Sequence, residues 1–247
     1  FAPVEAHLEE RLGVDVELFS ATSYQGVITA MANQQIEFSG YGPRSYVEAA
    51  KRANAEALLL ERRMDGRPGY YSYFIVPADS DIRDLEDARG RRFAFTDPNS
   101  TSGCLIPSTI IFDTFGESPE SFFGDVNFSG AHGTSILQVA AGELEIAAAN
   151  DIDLARMIQK GAVQEGDVRV IYTSELIPGS PLAARRDLPE SLKQAFTEAM
   201  LELNDMPEML ERFQNGGYEP VTDDKYDLIR SMIRLLESQQ AAAEDEG

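Results

Sequence analysis

The 247-residue sequence has one cysteine, Cys104, and two histidines, His7 and His132. A single thiol cannot close an internal disulfide, and three such side chains fall short of the usual zinc frameworks, so no metal site is expected. No apolar run approaches the roughly 20 residues of a membrane-spanning helix. Basic residues are scarce: 21 Lys and Arg face 42 Asp and Glu, a formal net charge of −21. A field of that sign repels nucleic acid and anionic lipid surfaces, which excludes polyanions as partners. A small anion remains admissible, because screening over roughly 8–10 Å leaves local donors in control of a recessed site. The phosphate-loop pattern GxxxxGKS/T and the dinucleotide pattern GxGxxG are both missing, despite the glycines of Gly40-Tyr41-Gly42-Pro43, and no cofactor is expected.

What is present is an alternation of helical and strand-like patterns. Val4, Leu8 and Leu12 mark a first helix, Val14–Phe19 alternates with period two, and Val27, Ile28 and Met31 return to helical spacing. Ile36–Phe38 reads as strand, Tyr46, Val47 and Ala50 as helix, and 57–60 and 71–76 as apolar runs. A second cycle runs through strand patterns at 93–95, 126–128, 146–149 and 168–172, with helices at 105–115, 136–141 and 154–158 between them. Beyond Ala184 the pattern is helical almost to the end, closing on an acidic tail, AAAEDEG. This rhythm predicts an α/β protein of two lobes, each an open, mostly parallel sheet flanked by helices. Prolines at Pro77 and from Pro178 to Pro181 place the crossings. Lobe one is then 1–77 plus 183–247, and lobe two 78–182. The chain opens at Phe1 on a helix already under way, so preceding residues are expected, such as a removed export signal or a first strand.

Ligands of open α/β sheets collect beyond the carboxyl ends of strands. The segments falling there carry Tyr24, Tyr41, Tyr70, Tyr71, Ser100–Gly103, His132 and Asp151, with no lysine and with Arg44 as the nearby fixed cation. The densest is Phe95–Ser108, FTDPNSTSGCLIPS, a strand end, a turn and a helix start. Ser100, Thr101 and Ser102 meet the unpaired N–H groups and positive dipole end of that helix, and Gly103 admits close approach. Read locally, they form either an over-supplied helix cap or an anion cradle. His132, in a Gly-Ala-His-Gly turn, reads as a base, an anion ligand or an exposed turn residue. No second candidate base with a defined partner accompanies Cys104, so a nucleophile role is not expected of it, and Asp151 and Asp153 suit the first turn of the following helix.

SYQGVITAM, GPRSYVEAA, GYYSYFIVPADS, TDPNSTSGCLIP, GAHGTSILQVAAGELEIAAAND and IPGSPLAARRDLP, in this order, resemble the phosphonate, phosphite and phosphate substrate-binding proteins of ABC importers, which are type II periplasmic binding proteins. The resemblance implies a two-lobed clamp with its ligand between the lobes, no catalysis, a periplasmic location, a permease as partner and a monomer. It also implies that Ser100, Thr101, Ser102 and His132 hold the phosphorus oxygens, with tyrosine hydroxyls from Tyr24 and from Tyr70 or Tyr71. Asp151 is near a position where some members read an aminoethyl tail; a second such acid would fall around Gly179-Ser180, where this sequence has none. An enzyme on the same fold, such as a thiamin-precursor synthase, and a receptor's sensing domain are the other classes compatible with the pattern.

Overall fold

The computed structural model describes residues 2–245. The chain forms two compact units, one from residues up to Gly69 together with Pro178–Asp227, the other from Tyr70–Ile177 together with residues from Leu228 onward.

The first unit contains α1 (Ala2–Leu12), α2 (Tyr24–Ala32), β1 (Phe38–Gly40), α3 (Pro43–Arg52), β2 (Ala55–Glu61) and the start of β3 (Gly69–Tyr70). The returning chain adds the end of β9 (Ile177–Pro178), then β10 (Pro181–Arg185), α8 (Glu190–Glu202), α9 (Pro207–Phe213) and β11 (Tyr218–Pro220). Its sheet has the order β1-β10-β2-β11. Neighbouring residues of β2 serve opposite faces, as the pleat requires. Leu60 packs with Ile28, Met31, Tyr46 and Ala49 of α2 and α3, and Leu59 with Leu8 of α1 and Phe196 and Met200 of α8.

Every pairing in this sheet is antiparallel, which corrects the expectation of a mostly parallel sheet. The returning strand β10 inserts between β1 and β2 and runs against both. Short and rich in alanine, it carries no alternation that would have marked it. Val14–Phe19 also departs from expectation: Val14 lies in a bend and the segment joins no strand pairing. Its Val16 N–H goes to the Glu9 carboxylate at 3.2 Å, and Val14 and Phe19 remain more than half exposed. Period two specifies extended backbone, but a strand also needs a partner edge.

The second unit is a five-stranded sheet of order β6-β5-β7-β4-β8, formed by β4 (Ser72–Pro77), β5 (Arg92–Phe95), β6 (Asp125–Phe128), β7 (Ile146–Asn150) and β8 (Val168–Thr173). Here β5 runs parallel to β6 and β7, while β4 runs against β7 and β8. Helices α4 (Ile106–Phe115), α5 (Pro119–Phe122), α6 (His132–Ala140) and α7 (Asp151–Gln159) connect the strands. Phe74, Phe93, Phe95 and Ile146 lie in one core with Ile111 and Phe122. Ile75, Ala94, Ala147 and Ala149 lie in another with Ile136 and Leu154. Burial on both faces is why these strands read as unbroken apolar runs.

Helix α10 (Asp227–Asp245) closes the described chain. It carries residues 241–245 of the expected acidic tail as helix, since the alanines there are strong helix formers on an already nucleated segment. Glu246 and Gly247 lie outside the described residues.

Candidate functional site

Strand direction gathers the chemistry of the second unit at one end of its sheet. The carboxyl ends of β5, β6 and β7 lead into Thr96–Gly103, Ser129–His132 and Asn150–Asp151. Ser72 pairs with Asn150, so β4 begins at that end, and Tyr73 pairs with Thr173, so β8 finishes there. The rim therefore takes residues from all five strands. Backbone bonds extend it past the strands, with Ser129 N–H on Phe95 O and Gly130 N–H on Thr96 O, each at 2.8 Å.

The segment after β5 is not an ordinary helix start. Thr101–Leu105 is one turn of π-helix. Leu105 N–H bonds Ser100 O at 3.1 Å, five residues back, and Ile106 N–H bonds Thr101 O. Pro107 accounts for the widening in part, because it has no N–H for a carbonyl one turn earlier. The Gly103 carbonyl instead accepts from Thr96 N–H at 2.9 Å. The turn lies so close to β5 that a Cβ on Gly103 would sit 1.8 Å from Thr96 Oγ1. Only glycine fits.

Inside this turn Ser100 Oγ accepts the Gly103 N–H at 3.0 Å. Ser100 Oγ and Ser102 Oγ each lie 3.3 Å from His132 Nε2. These contacts are long for hydroxyl hydrogen bonds, and a single ring nitrogen makes one good bond in its plane. At least one hydroxyl hydrogen is therefore uncommitted. His132 is the first residue of α6, and its Nδ1 is buried without a hydrogen-bond partner among the described residues. Burial pushes its pKa below the ordinary histidine value, against the opposing pull of the Asp153 carboxylate. The imidazole is thus neutral near neutral pH and does not offer the cationic contact of an exposed, protonated histidine.

This depression has a measurable sign. Below about pH 6.5 an unfolded histidine takes up a proton that the folded site resists. The stability contribution is fully present above the unfolded pKa and is lost as pH falls toward the lowered folded one. From pH 7.5 to 5, wild-type melting temperature should therefore fall more steeply than that of His132→Gln, followed by circular dichroism. Parallel curves would contradict the assignment.

The expected site residues fall into three groups. Ser100, Ser102, Gly103 and His132 converge, and Thr101 is buried in the same turn; all are nearly inaccessible, with the three hydroxyl residues each 1% exposed. Asp151 and Tyr71 hold one another on the same rim: Tyr71 N–H donates to Asp151 Oδ1 at 2.9 Å, and Asp151 N–H donates to Tyr71 O at 3.2 Å. Tyr70 is buried against Ile106 and Ile177. In the first unit, Tyr24 is half-buried and opens α2 behind the Ser23 cap. Tyr41 is part of that unit's core, its hydroxyl on Met31 Sδ at 3.3 Å, and burial pushes its pKa up to about 12.

Sequence reasoning passed over Ser72, Thr96 and Ser174, which support the turn from behind. Ser72 stood as one small polar residue in the apolar stretch GYYSYFIVP, and that interruption was the available signal.

Residues 1–226 match the family described as ABC transporter, phosphonate, periplasmic substrate-binding protein. The phosphonates-binding periplasmic protein of Escherichia coli K12 is 32% identical over 246 residues, covering 97% of this chain and 72% of that protein. The phosphate-import protein PhnD of Mycolicibacterium smegmatis is 30% identical, with 97% and 81% covered. Among solved structures, a binding-protein component of an ABC phosphonate transporter from Pseudomonas aeruginosa superposes with a TM-score of 0.90 at 28% identity, covering 98% of this chain and 82% of that one. PhnD1 of Prochlorococcus marinus, solved in complex with methylphosphonate, shares the fold at a TM-score of 0.83 and 21% identity, with 94% and 90% covered. With its two α/β units and the TDPNSTSG turn on the rim of the second, this chain belongs to the phosphonate-binding family of periplasmic substrate-binding proteins of ABC transporters.

Proposed function

We propose that this chain captures a small phosphorus oxyanion, a phosphonate, phosphite or phosphate, outside the cytoplasm and delivers it to the permease of an ABC importer. One observation carries the proposal: two serine hydroxyls converge on one buried imidazole at a glycine-backed helical turn. An ionised PO3 group offers acceptors only, so hydroxyl and backbone donors satisfy it without lysine. Each such bond contributes about 1.5–3 kcal/mol net, and a handful suffices for micromolar affinity after the cost of association.

Ser100 and Ser102 turn their hydroxyl hydrogens from Nε2 to the ligand, and Nε2–H becomes a third donor. An anion there raises the imidazole pKa and so favours the protonated ring. Because the cradle side chains are buried, the ligand reaches them only in a conformation that uncovers them. Tyr24 and one of Tyr70 and Tyr71 are proposed as further donors on the strength of the family resemblance.

A binding role suits this pair of groups better than a hydrolase: two serines share one nitrogen, and among the described residues Nδ1 has no acceptor to orient the ring as a general base. The relatives, too, are transport-binding proteins.

A thermal-shift panel of methylphosphonate, phosphite, phosphate, sulfate and chloride tests the reading. Stabilisation that grows with the logarithm of concentration is expected for at least one phosphorus oxyanion, recovered chemically unchanged, and not for chloride. No shift with any of the first three contradicts it.

A further inference from the structure

We infer that Ser72, at the start of β4, is a positioning residue for the cradle. The inference rests on the functional reading above only for its binding readout. Pro107 has no N–H for the Gly103 carbonyl four residues earlier, and in the widened turn the Ile106 N–H goes to Thr101 O instead of Ser102 O, so two carbonyls need donors from outside the helix. Thr96 N–H takes the first, and the Ser72 hydroxyl takes the second at 2.6 Å. Ser72 is fully buried, and its own N–H donates to Ser174 Oγ at 2.9 Å, a hydroxyl that in turn donates to Glu175 O at 2.7 Å. The Ser102–Gly103 peptide is planar, so fixing its oxygen on Ser72 aims its N–H in the opposite direction, onto Ser100 Oγ. With a lone pair of Ser100 occupied in this way, its hydrogen is presented to His132 or to a ligand. The line of bonds from β8 through Ser72 to Ser100 therefore sets which way the cradle's hydroxyl points. Without the Ser72 hydroxyl, the Ser102 carbonyl is buried with no donor and the peptide loses its restraint.

Ser72→Thr and Ser72→Val have nearly the same shape, and only threonine keeps the hydroxyl. By calorimetry, methylphosphonate affinity should fall about tenfold or more in Ser72→Val and stay within about threefold of wild type in Ser72→Thr. In the empty proteins, the His132 ring 15N resonances should move in the valine variant and hold in the threonine one. A valine variant with wild-type affinity and unmoved resonances overturns the inference, as does a threonine variant no better than valine. If wild type fails to bind methylphosphonate while the resonances still separate the two variants, the functional reading fails and the positioning role stands. Should neither variant fold, amide exchange in the wild type decides. Gly103 N–H must exchange only through global opening of its unit, and exchange as fast as an exposed turn overturns the inference.

Discussion

Ser102→Ala is expected to weaken methylphosphonate binding by about one to two decades, the value of one charge-assisted hydrogen bond, and to leave the empty protein's melting temperature nearly unchanged. The asymmetry comes from what each hydroxyl holds. Ser102 Oγ makes the long contact to His132, which contributes little to folding. Ser100 Oγ also takes the Gly103 N–H. Ser100→Ala should therefore show a comparable loss of affinity and, in addition, a loss of about 1 kcal/mol in stability, the usual worth of such a cap. Calorimetric titration and chemical denaturation of both variants check the pair. If the two are indistinguishable in stability, the capping role is wrong. If both bind as wild type does, the hydroxyls do not touch the ligand.

Gly103→Ala carries the other large effect. The new methyl would lie 1.8 Å from Thr96 Oγ1, 2.6 Å from its Cγ2 and 2.7 Å from its Cβ. Thr96 is fully buried on the end of β5, so it cannot swing away as a surface side chain would. Turn and strand must separate, which breaks the Thr96 N–H bond to Gly103 O. Overpacking of this kind costs about 3 kcal/mol, at the upper end of its usual range. The separated turn also loses the alignment of Ser100 and Ser102. A lowered denaturation midpoint together with lost oxyanion binding is expected. Companion replacement Thr96→Ala, which removes Oγ1 and Cγ2 but keeps Cβ, should restore part of both when combined with Gly103→Ala. A stable, binding-competent single variant would show that the close approach is not required.

Much of the second unit was legible because its chemistry is local. The strand Phe93–Phe95, the turn Asp97-Pro98-Asn99 and the hydroxyls that follow are consecutive, so the site's centre can be placed from one short stretch. Asp151 and Asp153 likewise read as a helix start, and the helix begins at Asp151, with Asn150 Oδ1 accepting the Asp153 N–H at 2.6 Å. What escaped was set by partners distant in sequence. Nothing near Ser72 shows that its hydroxyl will meet the Ser102 carbonyl thirty residues on. Nor does Leu182-Ala183-Ala184 reveal a strand until β1 and β2 are seen to flank it. Tyr41 is instructive in the same way: a tyrosine after a strand, in a glycine-rich turn, has the local look of a ligand contact. Its place in the first unit's core depends on Met31, ten residues away on another element.

The widened helical turn also shows how sequence punctuation works at a distance of one turn. Pro107 is unremarkable as an early helical residue, where proline is tolerated. Its consequence falls on residues 102 and 103, whose carbonyls must find donors on the sheet. The cradle's geometry is thus an outcome of a missing N–H as much as of the hydroxyls that line it.

The most direct measurement is a crystal structure of this protein with methylphosphonate. The phosphonate oxygens should lie within ordinary hydrogen-bond distance, about 2.6–3.2 Å, of Ser100 Oγ, Ser102 Oγ and His132 Nε2. Density for the head group elsewhere, with both serine hydroxyls still resting on the imidazole, would contradict the account.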